Sequence, residues 1–87
     1  MNEGRKAKVG WDPDEPGYGW IFKAWFRDRT TARAAAEQIN AAGWKASLSA
    51  WGRKVKVPVT DGHEGMKVEQ FVRERWPDVR EIQIRND

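Results

Sequence analysis

Few residues in this 87-residue chain are able to do chemistry, and their types rule out most of it. There is no cysteine, which removes disulfides, thiolate metal sites and cysteine nucleophiles together. The single histidine, His63, lies in Asp61-Gly62-His63-Glu64-Gly65, where one imidazole between two carboxylates is poor metal-ligand spacing and no nucleophile stands beside it. A loop that caps a helix accounts for that segment better. Asp12, Asp14 and Glu15 could hold a hard cation, but Asp12-Pro13-Asp14-Glu15-Pro16-Gly17 reads as an acidic arm interrupted by proline. Gly17-Tyr18-Gly19 precedes a strand instead of joining a strand to a helix, the wrong setting for a phosphate cradle. The expectation is a protein with no enzymatic activity, metal or cofactor. Binding chemistry is left, carried by Lys23, Trp25, Arg27, Lys45, Trp51, Lys54, Lys56 and Arg85: cations that neutralise phosphates, and indoles that stack on bases.

Those side chains need elements to hold them together, and the periodicity supplies them. From Tyr18 to Arg27 the residues alternate, with Trp20, Phe22, Ala24 and Phe26 on one side and Ile21, Lys23, Trp25 and Arg27 on the other, which predicts a half-buried strand. Asp28, Thr30 and Thr31 offer N-caps for a helix over residues 30–42, whose apolar stripe is Ala32, Ala35, Ala36 and Ile39 and which Gly43 ends. Residues 44–51 and 54–59 alternate again, and Gly52-Arg53 fits between them as a two-residue turn. That turn pairs Trp51 with Lys54, Ala50 with Val55, Ser49 with Lys56 and Leu48 with Val57, each pair matching in polarity. Pro58 lacks a ladder donor, so pairing is expected to end or bulge near it. Asp61 and Glu64 have capping-box spacing ahead of a helix over 65–76 with Val68, Phe71, Val72 and Trp76 inward, and Pro77 ends it. A strand over 79–85 closes the chain, Ile82 and Ile84 inward.

The order βαββαβ with right-handed crossovers predicts one architecture, the α+β ferredoxin-like sandwich, with an antiparallel sheet ordered 4-1-3-2 and both helices on one face. Residues 1–17 are read as a flexible arm and 18–87 as one domain. A chain of this length has room for one core and no more. The other face of the sheet carries no helix. It presents Lys23, Trp25 and Arg27 on the first strand, Lys54 and Lys56 on the third, and Lys45, Ser47, Ser49, Trp51, Gln83 and Arg85 on the edges, opposed only by Glu81.

Two readings of that face stand side by side. One is single-stranded nucleic acid. The other is a protein partner or an inhibited target, because Trp and Arg concentrate at interface hot spots and Tyr18, Trp25, Trp51 and Trp76 exceed what so small a core can hide. The same fold and face occur in the RNA recognition motif, although the outward third-strand residues here are Lys54, Lys56 and Pro58 where that family has aromatics, and Trp25 is the only central aromatic. Phe26-Arg27-Asp28, then Ala32 through Ile39 to Gly43, then Lys45-Ala46-Ser47-Leu48 resembles the first strand, alanine-rich helix, glycine and second strand of the SPOR family. That resemblance implies glycan binding on the open sheet, with Trp25, Trp51, Ser47 and Ser49 as the contacts. No apolar run suits a membrane span, and Met1-Asn2-Glu3-Gly4-Arg5-Lys6 leads into no export signal, so the cytoplasm is the expected compartment. The chain is expected to be a monomer or a homodimer paired through the 44–51 edge.

Overall fold

In a computed structural model that describes residues 19–86, the chain forms β1 (Trp20–Trp25), α1 (Arg29–Ala41), β2 (Ser47–Leu48), β3 (Lys54–Val59), α2 (Gly62–Arg75) and β4 (Glu81–Asn86). The four strands make one antiparallel sheet in the order β2-β3-β1-β4, which is the expected 4-1-3-2 read from its other edge. The arm assigned to residues 1–17 lies outside the described residues.

Alternation does what it predicts on the two central strands: Phe22 and Ala24 of β1 and Val55, Val57 and Val59 of β3 are buried, and the residues between them are half-buried. Against that face α1 lays Ala32, Ala35, Ala36 and Ile39, and α2 lays Val68 and Val72. Small residues let the helices come close. At Gly65 a methyl group would lie 2.7 Å from Cγ2 of Ile84 on β4, so this helical position has no room for a side chain.

Helix ends follow the cap chemistry. Asp28 is the cap of α1, its carboxylate accepting from the Thr31 backbone N–H at 2.7 Å, and Gly43 beyond the other end takes φ of 109°. Helix α2 begins three residues earlier than the apolar spacing suggests, because Asp61 caps it by accepting from the Glu64 N–H at 2.9 Å. His63 therefore sits in the first helical turn and not in a loop. The Glu64 carboxylate reaches back to the Thr60 N–H at 2.6 Å and the Thr60 hydroxyl at 2.9 Å, and also accepts from the Trp44 indole at 3.1 Å.

The β2–β3 hairpin departs from expectation. Ser47 pairs with Lys56 and Leu48 with Val55, and the Ser49 N–H donates to the Lys54 carbonyl at 2.8 Å. The pairing is displaced by two residues, which makes Ala50-Trp51-Gly52-Arg53 a four-residue connection. The polarity test had no power against this, since a shift of two returns every side chain to its own face. The regular strand also shrinks from eight residues to Ser47–Leu48, leaving less edge for pairing with another copy. Pro58 is accommodated without a bulge. The Phe26 N–H donates to the Arg53 carbonyl, so by alternation Val55, Val57 and Val59 turn their backbone groups to β1 while Lys54, Lys56 and Pro58 turn theirs toward β2. Strand β2 stops at Ser47, opposite Lys56, so no ladder bond is lost at Pro58.

Candidate nucleic-acid interface

Among the described residues no helix covers the other face of the sheet, which is built in rows across the strands. In one row Lys54, Trp25 and Glu81 stand side by side; in the next come Ser47, Lys56, Lys23 and Gln83; in the third, Pro58, Ile21 and Arg85. Because β1 and β3 share their ladder bonds through the buried residues, the outward pairs Trp25–Lys54 and Lys23–Lys56 occupy the non-hydrogen-bonded positions. There facing α-carbons are only about 4.5 Å apart and side chains approach most closely. The Lys54 ammonium lies 5.5 Å from the centre of the Trp25 ring. In the next row two lysines, Lys23 and Lys56, stand directly opposite one another. Glu81, the acid of this face among the described residues, accepts from the Gln83 amide at 2.9 Å.

The described tryptophans divide into two groups. Trp20, Trp44 and Trp76 pack against the core, Trp76 edge-on to Phe26 at 6.0 Å and Trp44 edge-on to Phe71 at 5.6 Å. Trp76 thus belongs to the interior edge and leaves the surplus of surface aromatics expected for it; Tyr18 lies outside the described residues. Trp25 faces outward from β1, and Trp51 is 85% exposed in the hairpin connection.

The expected site residues are distributed unevenly. Lys23, Trp25, Lys54 and Lys56 gather on the two central strands, and Arg85 lies on the outward face of β4. Arg27 follows β1 and is partly neutralised, its Nε 3.5 Å from carboxylate oxygens of both Asp28 and Asp78. Lys45 is exposed between α1 and β2, beyond the paired segment. Trp51 has moved from the face to its end. Ile21 and Pro58, absent from the expected site, form an apolar pair beside Arg85 in the third row; the alternation pointed both outward, but only the register sets them side by side.

No protein-family model matches this chain, and no curated protein matches it in sequence.

Electrostatic tuning is found away from the face. The Thr31 backbone N–H, with help from its hydroxyl and Arg27, holds the Asp28 carboxyl below its ordinary range. The Thr60 backbone N–H does the same for Glu64, aided by the Thr60 hydroxyl and the Trp44 indole and opposed by partial burial. Both are structural caps. Among the described residues, no group of three or more histidines and carboxylates is placed to hold a metal ion, and no helix is long and apolar enough to cross a membrane.

Proposed function

We propose that the open sheet face binds single-stranded nucleic acid, with a base stacked on Trp25 and the flanking phosphates on Lys23, Lys54 and Lys56. The observation that supports this best is the pairing of Trp25 with Lys54 and of Lys23 with Lys56 in adjacent rows of the two central strands. Two residues along a strand span about 7 Å, so a stacking surface and a paired cationic clamp sit next to each other on rigid backbone. Lys54 leans on the ring that a base must cover. An exposed cation–π contact contributes about 0.5–1 kcal/mol, whereas a base–aromatic stack is worth about 1–3 kcal/mol, so the base displaces the ammonium, which turns to a phosphate.

Titrating a labelled oligothymidylate against the protein tests this. Affinity should fall steeply with salt, with a logarithmic slope of about −2 for three engaged phosphates. Trp25→Ala should weaken binding about tenfold or more. An oligonucleotide that does not bind at low salt, or that binds regardless of Trp25, overturns the reading. Capture of one stoichiometric protein, insensitive to nuclease and salt, would point instead to a protein interface, and retention on glycan strands to the SPOR-like alternative.

A further inference from the structure

We infer that a bound strand does not stop at Trp25 but continues over the β2–β3 tip, where Trp51 takes a second base and Arg53 a phosphate. This rests on the nucleic-acid reading above and adds its footprint and its selectivity for unpaired bases.

Trp51 is the starting point. Among the described tryptophans three are packed on the core, while Trp51 stands 85% exposed at a connection where the chain had no need of an indole. The connection is a shaped one. The Ser49 N–H bonds to the Lys54 carbonyl at 2.8 Å and the Gly52 N–H to the Ser49 carbonyl at 3.0 Å. Gly52 adopts φ of 80°, the left-handed region that favours glycine, and seats its α-carbon against the Arg29 side chain, where a methyl group would lie 3.1 Å from Nε. The tip is thus anchored to the start of α1. An aromatic presented on an ordered turn loses little freedom when a ligand covers it.

Continuity comes from Lys54. It faces Trp25 across the strands and lies three residues from Trp51 along the chain, a reach of about 10 Å at most. Arg53 is adjacent, exposed, and engaged by no ion pair among the described residues, while its backbone is held by the Phe26 N–H at 2.9 Å. Arg27 at the same end is already shared with Asp28 and Asp78 and is the weaker phosphate contact. Trp25 and Lys54 on the face and Arg53 and Trp51 at the tip therefore lie within one short stretch. A flexible strand with unstacked bases can use all four. A duplex offers neither indole a free base, because its bases already stack on each other.

Anisotropy titrations with labelled oligothymidylates of two and eight nucleotides, and with an eight-base-pair duplex competitor, test the footprint on the full chain. Trp51→Ala and Arg53→Ala should each weaken the octanucleotide about fivefold to tenfold, leave the dinucleotide on Trp25 unchanged, and leave the melting transition in place. Trp51→Phe should recover most of the loss, as stacking needs a ring and not an indole N–H. The duplex should compete poorly. If Trp25→Ala weakens the octanucleotide while Trp51→Ala and Arg53→Ala do not, or if the duplex competes equally, the extended footprint is wrong and the face site stands. If no oligonucleotide binds the native chain, the underlying reading fails and takes the footprint with it.

Discussion

Lys54 stands directly opposite Trp25 on the two central strands, and its ammonium lies 5.5 Å from the centre of the indole ring. The contact places a cation and a stacking surface within one non-hydrogen-bonded pair, the closest side-chain approach an antiparallel sheet provides. A double-mutant cycle with Trp25→Ala and Lys54→Ala should give a stability coupling of about 0.5–1 kcal/mol in the free protein, read from denaturant unfolding. A coupling of zero would mean that the lysine is merely near the ring.

Lys56 faces Lys23 in the next row. Lys56→Gln should leave stability within about 0.5 kcal/mol, as for an ordinary surface substitution, while lowering oligonucleotide affinity and flattening its salt dependence. An unchanged fold with weaker binding separates a binding role from a structural one. A variant that loses stability and affinity together would indicate that Lys56 serves the fold.

Acid should weaken the fold through its caps. Asp28 and Glu64 both have folded pKa values below their ordinary ones, because backbone N–H groups of Thr31 and Thr60 donate to the charged carboxylates. Stabilisation from such groups is complete above the usual carboxylate range and is lost as pH falls through the lower folded values. Asp28→Asn with Glu64→Gln keeps an acceptor at each place but removes the titration, so urea midpoints of the double variant should change less between neutral and acidic pH than those of the native chain. An unchanged acid slope would assign the loss to other carboxylates.

Gly65 sets how closely α2 approaches β4. A methyl group there meets Ile84 Cγ2 at 2.7 Å, so Gly65→Ala should incur overpacking of about 1–3 kcal/mol, offset in part by the roughly 1 kcal/mol that alanine contributes to a helix over glycine. The melting temperature should fall. In the Gly65→Ala, Ile84→Ala double variant the loss should be smaller than the sum of the two single losses, because the new methyl enters the space the isoleucine vacates.

The hairpin register has a direct spectroscopic test. Leu48 and Val55 form a non-hydrogen-bonded pair, which should give a strong contact between their α-protons in a nuclear Overhauser spectrum. A contact between the α-protons of Leu48 and Val57 would restore the two-residue turn and return Trp51 to the strand.

Much of the fold was legible along the chain. Phe22 and Ala24, and Val55, Val57 and Val59, alternate with outward residues, and alternation is a property of neighbours in sequence. The alanine stripe of α1 and the Asp28 and Asp61 caps are equally local, as each cap binds an N–H three residues on. Of the candidate site, the sidedness of Lys23, Trp25, Lys54 and Lys56 could be read in the same way, because each shares the parity of its own strand.

The pairings across the strands could not. Nothing near Trp25 in the chain specifies Lys54 as its neighbour; that follows from where the two strands lock, twenty-nine positions apart in numbering. Polarity matching repeats every second residue, so it left two hairpin registers equally good, and only the folded pairing, with Ser47 opposite Lys56 and the Ser49 N–H on the Lys54 carbonyl, distinguishes them. Trp51 went to the tip for the same reason, whereas Trp76 packs inward as its helical spacing placed it. A side chain's parity is written in its immediate neighbours, but its partner is chosen by contacts that exist only once distant segments have met.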